Sequence, residues 1–314
     1  MVKAVLDVGS NSVLTLVAER TGTEWVVLRE TSAVTGLGRG TKTTGLLEPD
    51  AIEETLRAVR AGFDLAKELG ATEVVAGGTM ALRIARNAED FVVAADAQGT
   101  PVQVISGDQE AQLGFEAVAN DPEFREHARI SIVDPGGHST EMVTADRVQH
   151  QPAGAPYALS SWDVRYRQSF AVGALGLREG VLSAESPDFS ARLRAVQQID
   201  DLIGLSYRPN EGGHVVVLGA TGTNLVSIRE QLLTWQPDRV HGQWLDYEEI
   251  SRSVGWMFEL SDAERRAIPG MEAGRERTLH IGALILERFL FALKVLGCSV
   301  SVRGWRHALL DHAI

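Results

Sequence analysis

Two short glycine turns, each set between runs of aliphatic residues, constrain this chain more than any other feature. The first is Asp7-Val8-Gly9-Ser10-Asn11-Ser12, and the second is Asp134-Pro135-Gly136-Gly137-His138-Ser139. Both read Asp-x-Gly-x-x-Ser after a β-rich run, so each predicts a strand, a tight turn and a returning strand. The same pattern in the same strand context reads as an internal structural repeat that opens each of two domains. A length of 314 residues agrees with two domains of ordinary size. The boundary falls near Asn120-Asp121-Pro122, giving an N-terminal domain over 1–122 and a C-terminal domain over 123–314. The last few residues are expected to pack back on the first domain.

Between the turns, strand and helix signals alternate, which predicts an α/β chain. Glu24 to Arg29 extends the first hairpin. Pro49-Asp50 opens a helix that runs to about Leu69, where Gly70 supplies a C-terminal stop. Thr72 to Ala76 reads as a strand, Ala85 to Ala95 as a helix and Val102 to Ile105 as a strand. Ser106 then caps a helix beginning near Asp108, with Gln109 at capping-box spacing. Val215 to Leu218 is a strand running into Gly219-Ala220-Thr221-Gly222-Thr223 and a helix. The last third predicts helices over Tyr247 to Phe258, Asp262 to Ala267, and from about Arg275 to Leu296.

Composition excludes several classes. Thirty Lys and Arg against 42 Asp and Glu leave a net charge of −12, which opposes loose binding to duplex nucleic acid or an anionic membrane. The single cysteine, Cys298, rules out an intramolecular disulfide framework and any cysteine-cluster metal site. The apolar run at the N-terminus is too short for a signal peptide. Glu287, Arg288 and Lys294 interrupt the apolar stretch from Ile281 to Val300, so it reads as a core helix rather than a membrane span. A cytoplasmic protein is the expectation. That helix could supply a homodimer surface, although burial in its own core is the reading its residues favour.

A glycine turn between two strands leaves backbone N–H groups pointing outward without steric cover, and such a concavity binds anions, phosphate above all. An aspartate closing the strand before each turn is placed to hold Mg²⁺, which takes carboxylates together with phosphate oxygens and water. No Gly-x-x-x-x-Gly-Lys-Ser/Thr loop, His-Glu-x-x-His pair or Gly-x-Ser-x-Gly elbow is present.

At this point the motifs carry a resemblance. VLDVGSNSVLTLVAE resembles the first phosphate motif of the exopolyphosphatase/guanosine pentaphosphate phosphohydrolase (Ppx/GppA) family, and ISIVDPGGHSTEMV resembles the second. GTMALRIARNAEDFV is similar to the family's Thr-x-Ala-x-Arg-x-Ala-x-Asn segment through Thr79, Ala81, Arg83, Ala85 and Asn87. VISGDQEAQL, SFAVGALGLREG, VVLGATGTNL and GWRHALL continue the match in order. The resemblance implies two RNase H-like domains of the actin-like ATPase superfamily, with an active-site cleft between them.

It also implies roles. Glu110 matches the glutamate that activates the attacking water. Asp7, Asp134 and Glu141 match the carboxylates that bind Mg²⁺ and order the site. Arg83 matches an arginine contacting phosphate, beside donors from Gly9, Ser10, Asn11 and Ser12 in one turn and Gly136, Gly137, His138 and Ser139 in the other. The activity implied first is Mg²⁺-dependent release of orthophosphate from the ends of inorganic polyphosphate. Hydrolysis of guanosine pentaphosphate and non-catalytic sensing of polyphosphate or nucleotide are the alternatives. Arg39, Lys42, Arg165 and Arg167 are candidate linings for a polyphosphate channel. Departures from the family pattern are His138 for a glycine, Pro135 beside Asp134, Gln109 for a glutamate, and Gln112 and Gly176 where arginine is usual. His138 in particular is expected to place a side chain where phosphate must approach closely.

Overall fold

The computed structural model describes residues 1–148, 162–204 and 213–312. They form two compact units, one built from Met1–Leu113 with the C-terminal segment from Trp305, the other from Gly114–Gly304.

The first unit contains β1 (Val2–Val8), β2 (Ser12–Thr21), β3 (Glu24–Val34), α1 (Thr41–Thr44), α2 (Pro49–Glu68), β4 (Glu73–Gly78), α3 (Met80–Ile84), α4 (Ala88–Ala97) and β5 (Gln103–Val104). α5 (Gly107–Ala119) follows. Its sheet has the order β3-β2-β1-β4-β5. β1 to β3 form an antiparallel meander, and β4 and β5 run parallel to β1. Near-continuous burial of β1 fits a central strand covered on both faces.

One face takes α2, which starts with Pro49 at its first turn and stops before Gly70, held at φ 75°. Ala51, Thr55, Val59, Gly62 and Ala66 make its buried stripe. A Cβ on Gly62 would lie 2.6 Å from Leu6 Cδ2, so only glycine lets this helix settle so close to the sheet. On the other face, Val5, Leu16, Ala18 and Ile105 pack against Trp305, Leu309 and Leu310. The segment that returns is tied down at its end by Lys3 Nζ, which donates to the His312 carbonyl at 2.6 Å, and by Trp25 Nε1, which donates to Asp311 at 2.9 Å.

The second unit contains β6 (Arg129–Pro135), β7 (Thr140–Arg147), β8 (Trp162–Phe170), α6 (Ala174–Glu179), α7 (Phe189–Ile203), β9 (His214–Val217) and α8 (Gly219–Arg229). It continues with α9 (Pro237–Val240), β10 (Trp244–Asp246), α10 (Tyr247–Phe258), α11 (Asp262–Arg266), α12 (Leu279–Leu293) and β11 (Gly297–Val300), before α13 (Trp305–Ala308) rejoins the first unit. The sheet order is β10-β11-β9-β6-β7-β8. Read from β8, the first five strands repeat the order and directions of the first sheet, with β10 added antiparallel at the far edge. Each unit is thus an α/β, RNase H-like domain of the actin-like kind, and the repeat seen in the turns extends to whole sheets.

The compact units divide inside α5, where Gly114 packs on Ile132 and Leu218 and Phe115 stacks edge-on against Trp162, all in the second unit. One expectation changes. The long C-terminal helix ends at Leu293, where Lys294 turns to φ 51°, and Gly297–Val300 is a buried strand rather than helix. α12 is buried along most of its length in its own core, the reading its residues favour, with Phe291 exposed near its end. None of the described helices is long and apolar enough to cross a membrane.

Candidate functional site

The two glycine turns have the same local geometry. Gly9 N–H donates to Ser12 O at 2.9 Å, and Gly136 N–H donates to Ser139 O at 2.9 Å. The pairs Val8–Val13 and Pro135–Thr140 close the ladders directly below. A Cβ would lie 3.0 Å from Ser12 O at Gly9 and 2.9 Å from Ser139 O at Gly136, so both turns require glycine at their first position.

Neighbouring segments bind the turn carbonyls. In the first unit, Asn11 O accepts from Thr35 and Gly36 N–H, both at 3.0 Å, and Ser10 O accepts from Gly38 N–H at 2.8 Å. Ser10 Oγ accepts from Ala81 N–H at 3.1 Å, which ties the turn to α3. In the second unit, Gly136 O accepts from Ala174 N–H at 2.9 Å. Gly137 O accepts from Leu175 and Gly176 N–H at 2.8 and 3.1 Å. Among the described residues no acceptor faces the N–H groups of Ser10, Asn11, Gly137 and His138. Bound carbonyls together with unclaimed N–H groups give each turn the kind of donors that an anion-binding concavity needs.

Asp7 and Asp134 close the strands before these turns. Asp134 stands directly across the ladder from Glu141, whereas Asp7 stands across from Leu14. Glu141 is buried, and its Oε1 accepts from the Ser169 hydroxyl at 2.6 Å. The Asp134 carboxylate lies against the start of α8, where a Cβ on Gly219 would be 2.6 Å from Oδ1. Gly219 also sits at φ 74°, a conformation that favours glycine. No three His, Cys, Asp or Glu side chains cluster as a preformed metal cage among the described residues. The chemistry of the pair Asp134 and Glu141 still fits Mg²⁺, which is bound by one or two carboxylates while phosphate and water complete its shell.

Glu110 lies in the first turn of α5, which Ser106 and Gln109 cap reciprocally: Gln109 N–H donates to Ser106 Oγ at 3.1 Å and Ser106 N–H to Gln109 Oε1 at 2.9 Å. Its side chain is 11% exposed and pairs with Arg83 of α3, Nη1 to Oε2 at 2.8 Å. Burial pushes the Glu110 carboxyl above its ordinary value, while the charge and hydrogen bond of Arg83 pull it back. A half-buried carboxylate whose affinity for a proton is raised is suited to take one from a bound water.

A family model of the Ppx/GppA phosphatase family matches residues 16–314. The chain belongs to this family. It is therefore a phosphoanhydride hydrolase of the polyphosphatase or GppA type. A solved Ppx/GppA family member from Aquifex aeolicus is 28% identical, with a TM-score of 0.77 over 99% of this chain and 96% of that one. An exopolyphosphatase from Cytophaga hutchinsonii is 19% identical, with a TM-score of 0.82 over 99% of this chain and 97% of that one, and shows the same fold. An exopolyphosphatase-like protein at 23% identity reaches a TM-score of 0.87 over 99% and 97% of the two chains.

Within this Ppx/GppA chain the first unit brings together Asp7, the Gly9–Ser12 turn, Arg83 and Glu110. The second unit brings together Asp134, the turn at 136–139 and Glu141. His138 does not intrude on the concavity as expected. Its side chain is fully buried, with Nε2 3.9 Å from Glu179 Oε2 of α6, so only its backbone can serve an anion. Arg39 and Arg165 make poor channel linings. Arg39 bonds Glu48 at 3.0 Å and Asp50 at 2.7 Å, and Arg165 bonds Asp146 at 2.7 Å and Asp163 at 3.0 Å. Lys42 and Arg167 also have partners.

Sequence reasoning missed the residues that hold the turns. The Thr35–Gly38 loop, Gly173, Ser169 and Gly219 each touch a turn or its carboxylates. Glycine runs in TGLGRG and SFAVG were the available signal, but glycine alone does not say which backbone it approaches.

Proposed function

We propose that this chain is an exopolyphosphatase that removes the terminal phosphoryl group of inorganic polyphosphate. The observation that carries the reading is the half-buried Glu110–Arg83 pair, in the same unit as a glycine turn with N–H groups that no described residue accepts from. Glu110 takes a proton from water as the water oxygen attacks the terminal phosphorus. The bond from that phosphorus to the bridging oxygen breaks, and the shortened chain leaves with the bridging oxygen and its electron pair. Backbone N–H groups of the first turn, with the hydroxyls of Ser10 and Ser12, donate to phosphoryl oxygens and stabilise the charge that develops there, and the second turn with Ser139 offers donors of the same kind. Asp134 and Glu141 would hold Mg²⁺, and Asp7 offers the same kind of ligand beside the first turn. The ion, when bound, offsets charge on the phosphoryl oxygens.

Recognition through backbone donors asks only for phosphate, which favours a polymer of phosphate over a nucleotide. The test measures orthophosphate release from long-chain polyphosphate, tripolyphosphate and guanosine pentaphosphate with Mg²⁺, beside Glu110→Gln. The substitution is expected to lower turnover about 10²- to 10⁴-fold, the usual contribution of a general base. Unchanged turnover in Glu110→Gln would remove it as the base. Release from guanosine pentaphosphate alone would make the chain a nucleotide phosphohydrolase, and tight binding without release would make it a sensor.

A further inference from the structure

One sulfur of this chain stands against the Glu110–Arg83 pair. Met80 opens α3, and Arg83 follows three residues on, within side-chain reach along the helix. Met80 Sδ meets Arg83 Nη2 at 3.7 Å. A thioether is a weak acceptor, and no other described residue accepts from Nη2. Nη1, in contrast, is spent on Glu110 Oε2 at 2.8 Å and on the Ile105 carbonyl at 2.9 Å. The guanidinium is thus held firmly at one nitrogen and loosely at the other. Met80 itself is partly exposed. Of the remaining methionines, Met142 and Met257 are buried, Met271 packs against the second core, and Met1 is the terminal residue. Cys298, the one thiol, is buried, and burial pushes its pKa up, so it is a poor target for an oxidant.

We propose that Met80 is an oxidation site for a small hydroperoxide, and that the sulfoxide formed there draws Arg83 away from Glu110 and lowers turnover. The inference rests on the hydrolytic reading above and adds to it a control on the base. Met80 fills an unspecified position of the Thr-x-Ala-x-Arg segment, so the control belongs to this chain rather than to the motif. In the step, a lone pair of Sδ attacks one oxygen of hydrogen peroxide. The S–O bond forms as the O–O bond breaks, sulfur loses two electrons, and the departing oxygen takes the proton of the transferred one and leaves as water. The sulfoxide oxygen is polar and a far better acceptor than the thioether it replaces. It receives the Nη2 proton, and the planar guanidinium turns toward it as one rigid group. The bond from Nη1 to Glu110 lengthens with that turn. Glu110, buried and less well paired, then stays protonated over more of the pH range and cannot take a proton from water.

The test treats the full chain with hydrogen peroxide and maps sulfoxides by peptide mass spectrometry, beside Met80→Leu and Met271→Leu. Isotope-edited carboxyl NMR, assigned with Glu110→Gln, reads the titration of Glu110, and orthophosphate release from tripolyphosphate reads turnover. Sulfoxide is expected at Met80. In the oxidised parent the Glu110 titration is expected to move up by about half a pH unit or more, as weaker pairing with an opposite charge requires. Turnover should fall about tenfold, the scale of one charge-assisted hydrogen bond. Both should return on treatment with methionine sulfoxide reductases, one for each epimer. Met80→Leu nearly conserves volume, so it should match the parent within about twofold before peroxide and keep that turnover afterwards. Met271→Leu should stay as sensitive as the parent.

Recovery of Met80 as the intact thioether, when Met1 is already oxidised, would overturn the proposal. So would a fully oxidised Met80 with the Glu110 titration or the turnover unchanged. Equal losses in Met80→Leu and the parent would overturn it too, by placing the sensitive group elsewhere. If the parent chain released no orthophosphate from any phosphoanhydride before oxidation, the hydrolytic reading would fail separately. The peptide map and the titration would then still decide whether oxidised Met80 takes Arg83 from Glu110.

Discussion

Gly173 precedes α6, and it is the residue on which the second turn leans. A Cβ built there would lie 2.4 Å from three backbone atoms, the carbonyl carbon and oxygen of Gly137 and the nitrogen of His138. Carbon atoms in good contact sit about 3.5–4.0 Å apart, so Gly173→Ala must drive helix and turn apart by about 1 Å. No flexible side chain can give way, because all three atoms are backbone. The three hydrogen bonds from Ala174, Leu175 and Gly176 to the turn, now 2.8–3.1 Å long, stretch with that movement. Overpacking of this kind costs about 1–3 kcal/mol, and each hydrogen bond lost adds about 1 kcal/mol. A net loss of about 3 kcal/mol from the second unit is expected.

The N–H groups of Gly137 and His138 move with the turn. A misplacement of about 1 Å at such a site lowers turnover by about 10²-fold. Urea unfolding, with hydrogen exchange of the β6 and β7 amides to follow this unit alone, measures the first effect, and orthophosphate release measures the second. Gly255 of α10 is the control. A Cβ there meets nothing within 4 Å, and Gly255→Ala should be neutral or stabilising by about 0.5–1 kcal/mol. If Gly173→Ala kept its stability within about 0.5 kcal/mol and released orthophosphate like the parent, the claim that α6 props the turn would be refuted.

Other consequences are open to the same methods. His138→Gly should destabilise the second unit by about 2 kcal/mol, the scale of a cavity left by a buried side chain partly offset by removing unsatisfied ring nitrogens, and should not raise turnover. A rise in turnover would show that the imidazole obstructs phosphate after all. His214 stacks on His127 with ring centroids 3.7 Å apart, and burial, with the charge of His127 second, lowers its pKa from 6.5 to about 4. The unfolded chain therefore binds a proton that the folded chain refuses in that window. Stability of the second unit should fall as pH drops from about 6.5 to about 4, and His214→Asn should flatten the profile in chemical unfolding measured across it.

The parts legible in the sequence were those governed by local rules. Strand–glycine–strand runs gave away both turns, Pro49 and Gly70 marked the ends of α2, and Ser106 with Gln109 announced the cap that places Glu110. Parts set by tertiary contact were hidden. Cys298 and its neighbours read as the tail of an apolar helix, and only pairing of β11 with β9 and β10 makes them a strand. The helix expected over Ala85 to Ala95 begins only at Ala88, after Asn87, whose side-chain amide bonds both backbone groups of Leu47, at 2.8 and 3.1 Å. For His138, residue type suggested obstruction, but the direction of the side chain decides the matter and no local pattern encodes it. Arg39 and Arg165 looked like free cations because their carboxylate partners owe their positions to the fold.

The packing of Trp305, Leu309 and Leu310 on the first sheet makes the second unit an insertion within the first. A chain made from its N-terminus onward completes every residue of the second unit before the first has its last strip of covering. During synthesis the face formed by Val5, Leu16, Ala18 and Ile105 must therefore wait, apolar and exposed, for the final residues to emerge. The first-made unit is the last to be finished.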